Sequence, residues 1–193
     1  MNRPPIRLGF VKRLTVTNDT IKGEYSMEKN NVILIGMPGS GKTTIGTELA
    51  EKIGYGYIDS DSVIVARAGK RLNEIIAEVG REAFLEIEAK VNGDLCANRC
   101  VIATGGSVVY REAAMQKLKE MGTVVYLKLS YETIASRLGD LKARGVALKD
   151  GFTLQDLYNE RVPLYEKYAD ISVTLDGQSI AEAVENVRKA VQK

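Results

Sequence analysis

The stretch GMPGSGKT, residues 36–43, follows a short apolar run, NVILI at 31–35, and precedes a segment with apolar residues at helical spacing. It matches the pattern G-x-x-x-x-G-K-[ST] without a gap. Between a buried strand and a helix, this pattern forms a loop whose backbone N–H groups surround phosphate oxygens at the positive end of the helix. We therefore predict that the chain binds a nucleoside triphosphate at the carboxyl end of its first strand.

The pattern also assigns chemistry to its polar positions. The Lys42 ammonium group is expected to reach the outer phosphates of ATP, and the Thr43 hydroxyl is expected to ligate Mg²⁺. The predicted nucleotide-binding residues of this loop are Gly39, Ser40, Gly41, Lys42, Thr43 and Thr44.

Short apolar runs alternate with helical patterns along the rest of the chain. This alternation predicts an α/β fold: a three-layer α/β/α sandwich with a five-stranded parallel sheet. The loop-like stretch at about 140–152 is interpreted as a short lid. Pro163 is expected to kink or divide the helix that contains it. Gly122 is expected to end a helix as a C-terminal glycine, and Ser179 is expected to cap the start of a helix. The strands that follow the first are predicted at 56–61, 101–106, 123–130 and 171–175, and the helices at 42–52, 72–80, 82–98, 112–122, 131–138, 153–169 and 179–192.

Residues 1–26 differ from the remainder because they are basic, contain two of the four prolines and have no sustained period. We interpret them as an N-terminal extension that does not pack, outside a single P-loop domain at 27–193. We hypothesise that they are a leader upstream of a natural start at Met27; the alternative is a mobile native segment.

Composition excludes several classes of protein. A net charge of +2 gives no strong field for nucleic acid or an anionic membrane. With no histidine in the chain, Cys96 and Cys100 supply only half the ligands of a zinc site, so they are interpreted as reduced thiols. No apolar run approaches the ~20 residues of a membrane span. We expect a cytoplasmic monomer.

Two acids, Asp59 and Asp61, end the second predicted strand. On an extended segment, residues i and i+2 point the same way, so both carboxylates would face the space beside the phosphate loop. One could hold hydrated Mg²⁺ and the other could engage a substrate hydroxyl. The alternative is a solvated turn with a helix cap.

Six motifs occur in a distinctive order: GMPGSGKTTIG (36–46), IDSD (58–61), VGREAFLEIE (79–88), IATGGS (102–107), VVYLKLS (124–130) and ERVPLYEKYAD (160–170). In order and spacing the chain resembles shikimate kinases from Val32 to about Val187. The resemblance implies a P-loop fold like that of nucleoside monophosphate kinases, ATP and Mg²⁺ as cofactors, and transfer of a phosphoryl group to a hydroxyl of shikimate.

The resemblance also implies roles for single residues. Asp61 would bind and orient the acceptor hydroxyl, and Asp59 would assist the metal through water. Arg144 in the lid would stabilise the transferred phosphoryl group. Arg161 would hold the acceptor carboxylate, and Arg137 would stack on adenine. Gly105 and Gly106 would line the acceptor pocket with bare backbone.

Three departures from the family pattern fall on the acceptor side. Leu85 stands where the family has an arginine that shares the acceptor carboxylate, and Arg81 replaces a glutamate one helical turn earlier. Ser107 replaces a third glycine of the acceptor pocket, and the lid after Arg144 lacks the family's R-P-L-L. We hypothesise that Arg81 enters the pocket and partly replaces the missing guanidinium; the alternative is a surface charge.

The sequence thus favours a shikimate kinase-like enzyme. One alternative is a kinase of another hydroxylated acid, such as a gluconate-like sugar acid. A nucleoside monophosphate kinase is less favoured, because a second phosphate site requires more arginines. An alternative of another class is a nucleotide-binding regulatory module without transfer activity.

Overall fold

Five parallel strands form the centre of the computed structural model, which describes residues 29–138, 145–149 and 151–192. The strand order is β2-β3-β1-β4-β5, so the strand before the phosphate loop occupies the middle of the sheet. The predicted five-stranded parallel sheet is confirmed. The strands are β1 (Asn31–Ile35), β2 (Gly56–Asp59), β3 (Cys100–Ala103), β4 (Gly122–Lys128) and β5 (Ile171–Thr174).

Helices cover both faces of the sheet, as predicted for three layers. The first and last helices pack against each other, and the long third helix packs against the second and the fourth. A 3₁₀ turn at Val108–Tyr110 follows β3. The helices are α1 (Lys42–Ile53), α2 (Ser60–Ala68), α3 (Leu72–Gly93), α4 (Glu112–Met121), α5 (Tyr131–Arg137), α6 (Leu154–Tyr168) and α7 (Ile180–Val191).

The central strand is apolar along its length because neither of its faces meets water. Ile33, Leu34 and Ile35 have no exposed surface, and Val32 pairs with Val101 of β3 on one side and Thr123 of β4 on the other. A strand covered on both faces has a continuous apolar run rather than alternation. The phosphate loop therefore follows the buried central strand of the sheet.

The second strand is shorter than predicted. It ends at Asp59, whose Oδ1 accepts a hydrogen bond from the backbone N–H of Ser62 (3.1 Å) and so caps α2. The expectation of an extended segment through Asp61 is wrong, because capping by Asp59 starts a helix at the next residue. Similarly, β3 ends at Ala103, and Gly105 and Gly106 lie in a turn beyond it.

The junction between α4 and β4 uses Gly122 in a way the sequence did not predict. The helix does end there, but Gly122 has φ −170° and is the first residue of the strand, so it is not a left-handed cap. A Cβ at this position would lie 2.7 Å from the Asn31 carbonyl carbon and would collide with the Asn31 carbonyl oxygen. Close approach of β1, and not turn geometry, requires glycine here.

The predictions for Pro163 and Ser179 can be compared with the helices of the structure. α6 runs through Pro163 as one helix, so the predicted division is absent. Ser179 caps α7, as predicted: its Oγ accepts a hydrogen bond from the Glu182 backbone N–H (3.3 Å), and Glu182 accepts one in return from the Ser179 N–H (2.8 Å).

Some predicted features lie outside the described residues. These are the extension at 1–26 and part of the lid, residues 140–144 and 150, which include Arg144. Within the three described ranges, no helix is both long and apolar enough to cross a bilayer.

Candidate active site

A cleft of about 430 Å³ opens beside the carboxyl ends of β1, β2 and β3. Its wall includes the phosphate loop, both predicted acids, the turn after β3, and residues of α3, α6 and the segment 145–147. Parallel sheets place ligands at this edge, where strand ends meet helix N-termini. The cleft thus joins the predicted donor and acceptor residues in one space.

The phosphate loop has the backbone geometry that phosphate binding requires. Gly39 and Gly41 have φ values of 77° and 93°, and Gly41 immediately precedes α1. Lys42 Nζ donates hydrogen bonds to the carbonyl oxygens of Gly36 (2.8 Å) and Met37 (2.9 Å), and burial lowers the pKa of Lys42 to about 8. Ser40 Oγ is buried without a hydrogen-bond partner. These features fit a loop that takes up phosphate oxygens, with Thr44 in the first turn of the helix.

The two predicted metal residues lie beside each other. Thr43 Oγ1, in the first turn of α1, is 3.3 Å from Asp59 Oδ2 at the end of β2. Mg²⁺ binds oxygen donors and often takes only one or two protein ligands beside nucleotide phosphates. The hydroxyl and carboxylate present here therefore fit a magnesium ion bound together with ATP.

Asp61 lies in the first turn of α2 and faces the turn that contains Gly105. Among the described residues, its Oδ1 is buried without a partner, and burial, reinforced by the charge of Asp59 and offset by Lys42, raises its pKa to about 6. A Cβ on Gly105 would lie 2.6 Å from this oxygen and would collide with Glu88 Oε1. The structure therefore brings both acids to the cleft, although by a helix start and not by strand alternation.

Arg161 is 1% exposed, although it carries a charge, and its guanidinium is held from two sides. Nε donates to the Tyr110 hydroxyl (3.1 Å) and Nη2 donates to the Ala147 carbonyl (3.2 Å). Nη1 faces the glycine turn, since it would lie 3.0 Å from a Cβ on Gly106. The free edge of the guanidinium is thus presented to the cleft next to bare backbone.

The structure places the other predicted arginines differently. Arg137 is exposed, and its Nη1 donates to the Gly39 carbonyl at 3.5 Å, so it lies beside the phosphate loop. Arg81 is not part of the cleft wall formed by the described residues. Its guanidinium carbon lies 5.0 Å from the centre of the Tyr110 ring, and it pairs with Glu82. Arg81 thus lies beside Tyr110 and outside the described cleft wall, and its entry into the acceptor pocket stays a prediction.

Leu85 does not face the cleft. It is 1% exposed and packs in an apolar cluster that includes Ile64, Ile75 and Ala147. Ser107 is buried on the cleft wall beside Glu88. The side of the pocket that the family pattern assigns to a second guanidinium is therefore apolar here.

Sequence reasoning missed two residues of this region. Glu88 is fully buried on the cleft wall, and the centre of the Tyr110 ring lies near two guanidinium groups, 5.0 Å from that of Arg81 and 5.2 Å from that of Arg161. For Glu88 a signal existed: it follows Phe84 by four residues, so an acid lay on the buried face of a predicted helix. For Tyr110 no sequence signal separated it from a core aromatic residue.

Comparison with known proteins agrees with the geometry of the cleft. A family model described as shikimate kinase matches residues 38–192. The shikimate kinase of Trichormus variabilis is 36% identical over 159 residues, which cover 81% of this chain and 87% of the relative. That of Thermodesulfovibrio yellowstonii is 34% identical over 166 residues, covering 84% and 95%.

Solved structures agree with the sequence relatives. Shikimate kinase from Acinetobacter baumannii in complex with shikimate superposes with a TM-score of 0.76 at 29% identity, covering 83% of this chain and 92% of that one. Shikimate kinase from Aquifex aeolicus has a TM-score of 0.71 at 27% identity, covering 84% and 96%.

Proposed function

Because the chain belongs to the shikimate kinase family, we propose that it transfers the γ-phosphate of ATP to a hydroxyl of shikimate. The observation that carries this proposal is the single cleft that holds Lys42 on one side and Asp61, the glycine turn and Arg161 on the other. A phosphate loop alone binds nucleotide; an acceptor site in the same cleft permits transfer.

On the donor side, backbone N–H groups of the loop bind the phosphates, and Lys42 neutralises charge on the outer ones. Lys42 Nζ donates hydrogen bonds to two loop carbonyls, and phosphate oxygens would replace these carbonyls as acceptors when ATP binds. Thr43 and Asp59 are the residues that would hold Mg²⁺, which when bound offsets the negative charge of the phosphates. Arg137, beside the loop, is placed to cover the base.

On the acceptor side, Asp61 receives the hydroxyl that attacks, and the buried guanidinium of Arg161 receives the carboxylate. Gly105 and Gly106 leave space for a ring, since a side chain at either position would meet the groups that bind it. Arg161 is oriented in advance by Tyr110 and Ala147, so little side-chain entropy is lost when it binds a carboxylate.

Catalysis in this proposal consists of positioning and electrostatic stabilisation. Asp61 holds the acceptor hydroxyl in line with the γ-phosphate and accepts its proton, while Lys42 stabilises charge on the transferred group. We propose that Arg144 of the lid adds a second positive charge at the phosphates.

We also propose that the enzyme works in the cytoplasm, because its two cysteines are free thiols.

The apolar surroundings of Leu85 favour one alternative acceptor class. A pocket with one guanidinium could bind another small hydroxy acid, such as a gluconate-like sugar acid. The alternative of another class is a regulatory nucleotide-binding module, which lack of turnover with any acid would favour.

The test is ATP turnover, measured by a coupled assay with shikimate, quinate and gluconate in turn. We expect turnover with shikimate, a loss of about 10²–10³-fold in kcat for Lys42→Met, and a loss of about 10²–10⁴-fold for Asp61→Asn. Lys52→Met is the matched control, because Lys52 is exposed at the far end of the same helix and pairs with Glu185. Turnover with gluconate and not with shikimate would contradict the proposed acceptor.

A further inference from the structure

Glu88 is a buried carboxyl group without a partner in the part of the chain that the structure describes. It is 1% exposed on the cleft wall, and neither Oε1 nor Oε2 has a hydrogen-bond partner among those residues. The hydroxyl and backbone N–H of Ser107 approach it from the neighbouring turn and favour its ionised form, but neither is aligned for a full hydrogen bond. A buried ionised carboxylate without a partner is unfavourable, so such a group requires either a cation, a hydrogen-bond donor or a proton.

The cations near Glu88 are occupied elsewhere. Within the described ranges, no lysine or arginine forms an ion pair with it. Arg161 is held by Tyr110 and Ala147, and Lys42 by carbonyl oxygens of the phosphate loop. Leu85 is one helical turn before Glu88, where an arginine would be close enough to pair with it. In this chain that position is apolar.

Glu88 and Arg161 face neighbouring residues of the same turn. Oε1 of Glu88 adjoins Gly105, and Nη1 of Arg161 adjoins Gly106. The charge of Arg161 lowers the pKa of Glu88, but within the described residues the two groups form neither an ion pair nor a hydrogen bond, and both line the cleft. A carboxylate bound by Arg161 would therefore lie beside the Glu88 carboxyl.

We infer that Glu88 binds the acceptor in its protonated form: the acid O–H donates a hydrogen bond to the acceptor carboxylate that Arg161 holds, in place of a second guanidinium. This inference rests on the proposed function. Where Glu88 is ionised in the free protein, binding transfers one proton from a buffer acid to a Glu88 oxygen: the bond between the proton and the buffer breaks, the Glu88 O–H bond forms, and no covalent bond of the acceptor changes. Such a pair, an acid and a carboxylate sharing one proton, holds a ligand anion without a second cation.

The charges around Glu88 support this protonation state. The ionisable groups that face it are Asp61 on α2, Lys42 on α1, and Arg161 and Tyr165 on α6. The pKa of Glu88 is raised to about 7: burial is the largest cause and the charge of Asp61 adds to it, while Ser107 and Arg161 offset part of the rise. An acceptor carboxylate would add another negative charge and hold the proton more firmly.

The experiment is calorimetric titration of the full-length protein with shikimate between about pH 6 and pH 9, in two buffers of different ionisation enthalpy. We expect Kd to rise by close to tenfold per pH unit above about pH 7, and binding at pH 8 to take up close to one proton. In Glu88→Gln, the amide is a permanent donor, so Kd should stay near the low-pH value of the wild type, without proton uptake.

Two controls complete the design. Glu86→Gln changes an exposed acid of the same helix, which pairs with Arg111, and should keep the wild-type pH dependence. The methyl ester of shikimate has no carboxylate, so its binding to the wild type should not depend on pH in this way. The ester keeps the inference testable if Glu88→Gln fails to fold.

Each outcome tests either the role of Glu88 or the proposed function. An unchanged pH dependence in Glu88→Gln, or an affinity that increases with pH, overturns the role of protonated Glu88 while shikimate-dependent ATP turnover leaves the proposed function standing. Absence of that turnover at every pH overturns the proposed function itself.

Discussion

At the scale of single residues, Glu88 lies in the proposed acceptor site, and its burial lowers the free energy of unfolding when the carboxyl is ionised. Its pKa is raised from 4.5 to about 7 in the folded protein because the carboxyl is buried. A group with a higher pKa in the folded state opposes folding when it ionises. The cost is absent below the pKa of the unfolded chain and complete above the pKa of the folded protein, so it grows between about pH 4.5 and pH 7.

We therefore predict that Glu88→Gln stabilises the protein without ligand at alkaline pH. The free energy of unfolding at about pH 8.5 should increase by up to about 3 kcal/mol, and the gain should shrink toward pH 5, where wild-type Glu88 is neutral. Urea unfolding at both pH values measures this. Exposed Glu86→Gln should change little at either pH, and an equal gain at both pH values would show that ionisation of Glu88 is not the cause.

At the scale of secondary-structure elements, glycines are required for different reasons. Gly122 joins α4 to β4 in an extended conformation, where its backbone lies against Asn31 of β1. Gly93, the last residue of α3, has open space where a Cβ would be. A methyl group is therefore excluded by packing at Gly122 and tolerated at Gly93.

This contrast yields a paired prediction. Gly122→Ala should lower the free energy of unfolding by about 1–3 kcal/mol, because the added methyl group forces β4 away from β1. Gly93→Ala should raise it by up to about 1 kcal/mol through lower entropy of the unfolded chain. Thermal unfolding compares the two, and a Gly122→Ala variant as stable as the wild type would contradict the close approach.

At the scale of the whole molecule, we propose that the enzyme is a monomer. In the described ranges, the exposed large hydrophobic residues are Val79 on α3 and Ile180 on α7, which are 41% and 51% exposed. Two separate residues do not form the contiguous apolar patch that a stable dimer interface requires. Sedimentation should give a mass near 21.2 kDa that is independent of concentration. A mass that doubles at micromolar concentration would contradict the proposal.

The fold and the donor side could be predicted in outline from local patterns. The phosphate loop, the five parallel strands and the cap at Ser179 each depend on residues close in sequence, whose spacing determines periodicity, turn conformation and hydrogen bonding. The start of α2 was missed for a related reason: Asp59 is both the last strand residue and a cap, and the local pattern favoured an extended segment through Asp61.

The acceptor side depended on tertiary structure. The sequence by itself determined a P-loop kinase fold, the nucleotide site and the presence of an acid and an arginine for the acceptor. Only the packing of α3 and α6 against the glycine turn decided that Arg81 lies beside Tyr110, that Leu85 joins an apolar cluster, and that Glu88 is buried without a partner among the described residues. The physical reason is that burial and charge pairing arise between residues distant in the chain, so spacing along the sequence does not encode them.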